Sequence, residues 1–192
     1  MQTAGDTEQR SQELGLESTG DDSFDWIAGL FYFDSDETQR LSFSVLSATT
    51  RDSDRLTFSG ALVWMPKREF VEFMGASSGA DVSGNAISRA PEWSVSVSIG
   101  YRVPLGSLSE LSAEIDYNYR SEFFFTKEND ALFSQEAFGL LNLVVRLDSA
   151  ADRWYAFVPA RNVLDTDYFN QVFLQSAPGY AANYEVGLGL RF

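Results

Sequence analysis

Trp93-Ser94-Val95-Ser96-Val97-Ser98-Ile99-Gly100-Tyr101-Arg102-Val103 alternates apolar and polar residues without a break. Successive side chains of an extended strand point to opposite faces, so the segment has one apolar wall and one polar wall. The next segment repeats the design. Leu111, Ala113, Ile115, Tyr117 and Tyr119 share one face, and Ser112, Glu114, Asp116, Asn118 and Arg120 share the other. Charged side chains on that second face would be costly in a dry core. They suit a face turned to water, with the apolar face turned to lipid.

The same period marks most of the chain. Leu56, Phe58, Gly60, Leu62 and Trp64 oppose Thr57, Ser59, Ala61 and Val63, while Leu41, Phe43 and Val45 oppose Ser42 and Ser44. Phe24 to Phe33 is apolar on both faces, which leaves its orientation open, and Gln12 to Ser18 is a weaker strand. Leu141, Leu143, Val145 and Leu147 mark a seventh strand, and 154–163 an eighth. The ninth is the terminal segment, in which Tyr184, Val186, Leu188, Leu190 and Phe192 oppose Glu185, Gly187, Gly189 and Arg191. Pro159, inside the eighth strand, costs a ladder hydrogen bond unless that position is an edge or a bulge.

Short polar turns at Thr19-Gly20-Asp21-Asp22, 51–54, Gly106-Ser107 and Ala150-Ala151-Asp152 alternate with long connections near 73–90, 126–136 and 165–181. Outer-membrane barrels show this asymmetry, with short periplasmic turns and long extracellular loops. The expected fold is all-β: an antiparallel meander of eight to ten strands curled into an open or small barrel. Nine strands set the first and last parallel, which conflicts with closure of a single-chain antiparallel barrel. Residues 1–10 are expected to be a polar, flexible flank, with 11–192 forming the barrel.

Composition narrows the functions. The 192 residues include 16 Phe, 8 Tyr and 4 Trp, and neither Cys nor His. Disulfides, thiolate or imidazole metal sites and Ser-His-Asp catalysis are therefore excluded. No catalytic residue, cofactor or metal ligand is expected. A net charge of −14 opposes nucleic acid as a partner. Asp34, Asp36 and Glu37 lack the glycine and distant glutamate of a calcium loop and read as a solvated turn. Glu114 and Asp116 read as part of a wet wall, not as a glycosidase pair. Tyr117, Tyr119, Phe123, Phe125 and Phe169 are candidates for an aromatic girdle at a membrane interface. Asn162 and Asp165 suit a turn held by side-chain bonds to the backbone. The polar start, Met1-Gln2-Thr3-Ala4, lacks the basic and apolar segments of a secretory signal, so the chain is expected to be incomplete or processed.

Four segments carry a family resemblance. Gly84-Asn85 followed by Ala90-Pro91 resembles a strand-opening motif of TonB-dependent outer-membrane receptors. Tyr117-Asn118-Tyr119-Arg120 resembles that family's Y-x-Y-R strand end. Arg161-Asn162-Val163-Leu164-Asp165-Thr166-Asp167-Tyr168 is similar to its R-N-L-x-D-x-x-Y element. The terminus, with Gly187, Leu190 and Phe192, is similar to the signal read by the barrel assembly machinery. From about Leu56 onward the chain resembles the C-terminal part of such a receptor, and 11–32 resembles a mid-barrel hairpin. Full members carry a plug, a TonB box and a barrel of about 22 strands. Nothing here resembles the plug or box, and about half a barrel is missing near residues 34–42.

The resemblance implies an outer-membrane location, with lipid and the assembly machinery as partners and TonB as a partner only of the full-length parent. It implies energised uptake of a scarce ligand of siderophore, cobalamin or glycan type, without enzymatic chemistry. The expected role is a receptor fragment that does not transport alone. The alternatives are a small stand-alone barrel serving as scaffold or passive pore, and a soluble lipocalin-like binder. The charged rows count against the last.

Overall fold

The computed structural model describes residues 8–18, 24–36, 39–52, 55–71, 73, 79–107, 109–173 and 175–191. Long strands dominate it: β1 (Glu8–Glu17), β2 (Phe24–Asp36), β3 (Gln39–Asp52), β4 (Leu56–Phe70), β5 (Trp93–Leu105) and β6 (Ser109–Arg120). Short strands β7 (Phe123–Phe124) and β8 (Ser134–Gln135) flank a single 3₁₀ turn at Ala131–Phe133. Then come β9 (Phe138–Ser149), β10 (Trp154–Arg161), β11 (Phe169–Val172), β12 (Ser176–Pro178), β13 (Asn183–Tyr184) and β14 (Gly187–Leu190).

The main sheet is an antiparallel meander in the order β1-β2-β3-β4-β5-β6-β9-β10, with β13 and β14 both on β10. Among the described residues β1 pairs only with β2, so the sheet is open. The all-β expectation holds. β1 starts at Glu8 and takes in the last residues of the expected flank, and β2 runs through Asp34 to Asp36 where a turn was expected. Arg10 lies directly across from Asp34, while its guanidinium lies 3.6 Å from the Glu8 carboxylate. Glu37, the Thr19 to Asp22 turn and Phe192 lie outside the described residues.

Pairing settles which residues share a face. Leu14 faces Leu30 across β1 and β2. Leu62 faces Val95, Val95 faces Tyr119, and Tyr119 faces Gly139. One wall therefore holds Leu14, Leu30, Leu62, Val95, Tyr119 and the Leu141 to Leu147 row. This resolves β2, which puts Ala28, Leu30 and Tyr32 on that wall.

The apolar wall is also the exposed one. Ile99 is 43% exposed, Ile115 44%, Leu14 58% and Leu188 81%. Buried hydrophobics among the described residues are few: Phe70, Val82, Phe123, Phe138 and Ala160. Phe70 and Val82, the most deeply buried, pack with Phe73 and Ile87 in the connection after β4. Water-soluble sheets bury such a wall against a second layer. Among the described residues this sheet has none.

The ninth strand position is split into β13 and β14, and Pro159 explains the split. Ala160 pairs with Tyr184 and Phe157 with Gly187, so the register passes Pro159 opposite Glu185 without a slip. The Glu185 N–H donates to the Pro159 carbonyl at 3.0 Å, but proline has no N–H to return the bond. The position is neither an edge nor a bulge, so the expected ladder bond is lost: the strand stays in register with one rung half-made. Pro159→Ala should restore that rung, adding about 1 kcal/mol and slowing amide exchange at Glu185 and Gly187, whose N–H groups face β10. Hydrogen exchange by mass spectrometry over 183–190 checks this, and unchanged protection would contradict it.

Candidate functional site

Two parts of the molecule gather polar side chains. The first is the wall opposite the apolar one. Because β4, β5, β6 and β9 curl, it is concave and holds a recess of about 480 Å³ lined by Arg55, Ser59, Ser98, Arg102, Glu114 and Arg146, among others. Serines and carboxylates bond across strands there. The Ser96 hydroxyl donates to Asn118 Oδ1 at 2.9 Å, and the Ser98 hydroxyl to Glu114 Oε1 at 3.3 Å. Glu114 and Asp116 sit on one strand of this wall, in a polar row with Ser112 and Asn118.

Toward the terminal strand the polar wall becomes a stack of charges on an aromatic ring. Arg146 grips Asp148 with two bonds of 2.6 Å. Its guanidinium lies 4.1 Å from the centre of the Tyr155 ring, and that of Arg191 lies 5.3 Å from the same ring. Arg191 also pairs with Asp152. Tyr155 covers Gly189 and Phe157 covers Gly187, their direct cross-strand partners. A Cβ at either glycine would collide with the ring, so aromatic residues on β10 fill the space the glycines leave. Gly187 therefore has a packing role beside its place in the terminal pattern, and Leu190 is exposed on the apolar wall.

The second part is a layer built from the three long connections, all at one end of the sheet. Gly84 has a φ of +83°, and the turn there lets Gly84 N–H reach the Phe70 carbonyl at 2.7 Å. Asn129 ties this connection to the next one. Its Oδ1 accepts from Ala86 N–H at 2.6 Å and its Nδ2 donates to the Ala86 carbonyl at 3.0 Å. Arg89 N–H donates to the Phe124 carbonyl at 2.7 Å. Pro91 is buried, and Arg68 Nε donates to the Ala90 carbonyl at 2.9 Å. Gln135 Oε1 accepts from Phe169 N–H at 2.7 Å, which joins the second connection to the third.

Asn162 organises the third connection. Both Asn162 (φ +49°) and Asp165 (φ +51°) adopt the left-handed region, which asparagine and aspartate enter more readily than most residues. Buried Asn162 donates to the Thr166 and Tyr180 carbonyls and accepts from Thr166 N–H, each at 2.9 Å. Asp165 accepts from Ala182 N–H at 3.0 Å. Arg161 ends β10, with Asn183 as its partner. Tyr168 stacks on Phe138 with ring centres 5.0 Å apart.

The girdle candidates divide. Tyr117 and Tyr119 lie on the apolar wall, where Tyr117 covers Gly139. Phe123 does not: it is buried in the connecting layer, edge-on to Phe125 at 5.2 Å. The physical reason is that β6 ends at Arg120 and β7 turns back to pair with β8, which carries both phenyl rings inward. Phe169 stands beside them, partly exposed. Sequence reasoning missed Trp64 and Trp93 as a pair. They face each other across β4 and β5 on the apolar wall and stack at 5.4 Å.

No protein-family model matches the sequence, and no curated protein resembles it significantly. Solved structures do resemble it in fold. The ferric-catecholate import receptor Fiu of E. coli K12 matches 97% of this chain with a TM-score of 0.69 at 14% identity. BauA, the ferric preacinetobactin receptor of Acinetobacter baumannii, matches 94% with a TM-score of 0.65 at 15% identity. FyuA, the ferric yersiniabactin uptake receptor of Yersinia pestis, matches 94% with a TM-score of 0.64 at 16% identity. The fold is that of the TonB-dependent receptor barrel. The chain spans 28%, 29% and 28% of those three proteins, respectively, so it corresponds to a sector of that barrel.

Asn129→Ala should remove both bonds to Ala86, at a cost of about 2 kcal/mol, and loosen the layer without opening the sheet. Limited proteolysis would then cut near 84–90 and 126–130 while β5 and β6 stay protected. Asp81 gives a pH test. Its carboxyl is held below the ordinary carboxylate range by the Ser83 hydroxyl and then by the Ser83 N–H. A lowered folded value means a contribution present above the unfolded carboxylate range and lost as pH falls through the folded value. Protection of the 79–85 turn should therefore drop only under strong acid, and a drop near neutral pH would contradict this.

Proposed function

We propose that this chain is a wall sector of a TonB-dependent outer-membrane receptor, serving uptake and not catalysis. The observation that carries the reading is the inverted sheet, with an exposed apolar wall and a concave charged one, in a fold shared with ferric-chelate receptors. In this reading the apolar wall lies against outer-membrane lipid and the polar wall lines the barrel interior. The connecting layer stands on the extracellular side, and the short turns face the periplasm. The terminal pattern with Gly187, Leu190 and Phe192 addresses the barrel assembly machinery.

The parent receptor supplies the plug, the contact with TonB and the remaining strands. This sector supplies wall and rim. The ligand belongs to the scarce nutrients of siderophore, cobalamin or glycan type. The resemblance to iron receptors favours a ferric chelate. A stand-alone pore suits the topology less well, because β1 and the terminal strand run the same way and stay unpaired among the described residues.

The test is folding into lipid. In phospholipid vesicles the chain should gain strand content and show heat-modifiable gel migration. Ile99→Lys, on the apolar wall, should destabilise the inserted form by about 2–4 kcal/mol in a urea titration, whereas Ser98→Lys should change it much less. A chain that is monodisperse in plain buffer, with Ile99→Lys harmless, would overturn the reading. Single-channel conductance by the chain alone would favour the stand-alone pore.

A further inference from the structure

At the rim, where the second and third connections meet, lies a small recess of about 110 Å³. Arg89, Arg120, Phe123, Phe125, Phe138 and Tyr168 line it, together with Phe169 and Asn170. Its walls are aromatic. Phe123 and Phe138 are buried, Phe123 meets Phe125 edge to face, and Phe138 stacks on Tyr168. Its charges are both positive, and among the described residues neither Arg89 nor Arg120 forms an ion pair. This differs from Arg68, Arg102, Arg146 and Arg191, each of which meets a carboxylate within 4 Å. Although the chain carries a net charge of −14, no carboxylate is among the residues that line this recess.

The backbone adds an independent observation. Arg89 has a φ of +58°, a left-handed conformation that costs an ordinary side chain about 1–2 kcal/mol. Strain of this kind collects at sites that hold a side chain for a purpose. The bond from Arg89 N–H to the Phe124 carbonyl fixes that backbone, and the guanidinium lies 5.7 Å from the centre of the Phe125 ring. Arg120 ends β6, opposite Phe138 on the rigid sheet. One arginine is thus set by a strained turn and the other by a strand.

We propose that this recess binds an aryl carboxylate or a closely similar ring-bearing anion. The negative group meets the two guanidinium groups, which hydrogen-bond a planar oxyanion in fork geometry, while the ring packs among the phenyl groups. At about 110 Å³ the recess is smaller than the cavities of about 150 Å³ that enclose one benzene ring, and because it opens to solvent it takes one edge of the ring while the rest stays outside. The site rests on the receptor reading only for its placement on the ligand-entry side.

The experiment uses the full chain folded in detergent micelles, with benzoate, benzamide and inorganic phosphate as probes in equilibrium dialysis. Benzoate should bind saturably, and more tightly than benzamide or phosphate. Arg120→Ala and Arg89→Ala should each weaken benzoate about tenfold, with heat-modifiable migration retained. Arg120→Lys should recover part of the loss. Benzoate affinity unchanged in both alanine variants would overturn the proposal. So would benzamide binding equally well, which removes the anion requirement, or phosphate binding equally well, which removes the ring. Benzoate binding by a chain that is monodisperse without detergent would leave the site standing and sink the membrane reading.

Discussion

A sheet whose apolar wall points outward must meet something apolar, and every other feature of this molecule is arranged around that requirement. Side chains alternate with a period of two, so each strand delivers one apolar and one polar row. The meander then keeps those rows aligned from Leu14 and Leu30 through Leu62, Val95 and Tyr119 to Gly139. No second sheet or helix covers the apolar row among the described residues. With the polar row concave and charged, lipid outside and water inside satisfy both faces at once.

The remaining order follows from where that scheme is interrupted. Strands cannot bury hydrophobics on their own in such an architecture, so the dry packing collects in the connections, around Phe70, Val82, Phe123 and Phe138. Side-chain amides hold those connections together: Asn129, Gln135 and Asn162 each satisfy backbone groups that no ladder reaches. On the concave side, the Arg146–Tyr155–Arg191 stack and the rings over Gly187 and Gly189 fasten the terminal strand, which has a single neighbour and a rung weakened by Pro159.

Much of this was legible in the sequence. Alternation in Trp93–Val103 and Leu111–Arg120 is local, and it gave the strand positions and the faces. The spacing of short and long connections gave the end at which the layer forms. The orientation of β2 was not legible, because both its faces are apolar and only the register against Leu14 decides. Asp34 and Asp36 looked like turn residues, yet the strand continues through them, paired with β1 on one side and β3 on the other. Phe123 was assigned to a girdle by type and proximity, whereas a two-residue strand pairing turns it inward. The contacts of Asn129 and Gln135 span 43 and 34 residues, and no local pattern announces them. The rim recess was hidden for the same reason: Arg89 and Tyr168 come from separate connections and Arg120 from the end of β6.

The central claim concerns the direction each wall faces, and the absence of cysteine from the chain allows a clean measurement. Single cysteines introduced from Trp93 to Val103 and spin-labelled in phospholipid vesicles would report collisions with oxygen, which concentrates in lipid, and with a nickel chelate, which stays in water. The account predicts oxygen maxima at Val95, Val97, Ile99 and Tyr101 and chelate maxima at Ser96, Ser98 and Gly100, the two patterns running out of phase. Patterns in phase, or chelate maxima at Val95, Val97 and Ile99, would contradict it.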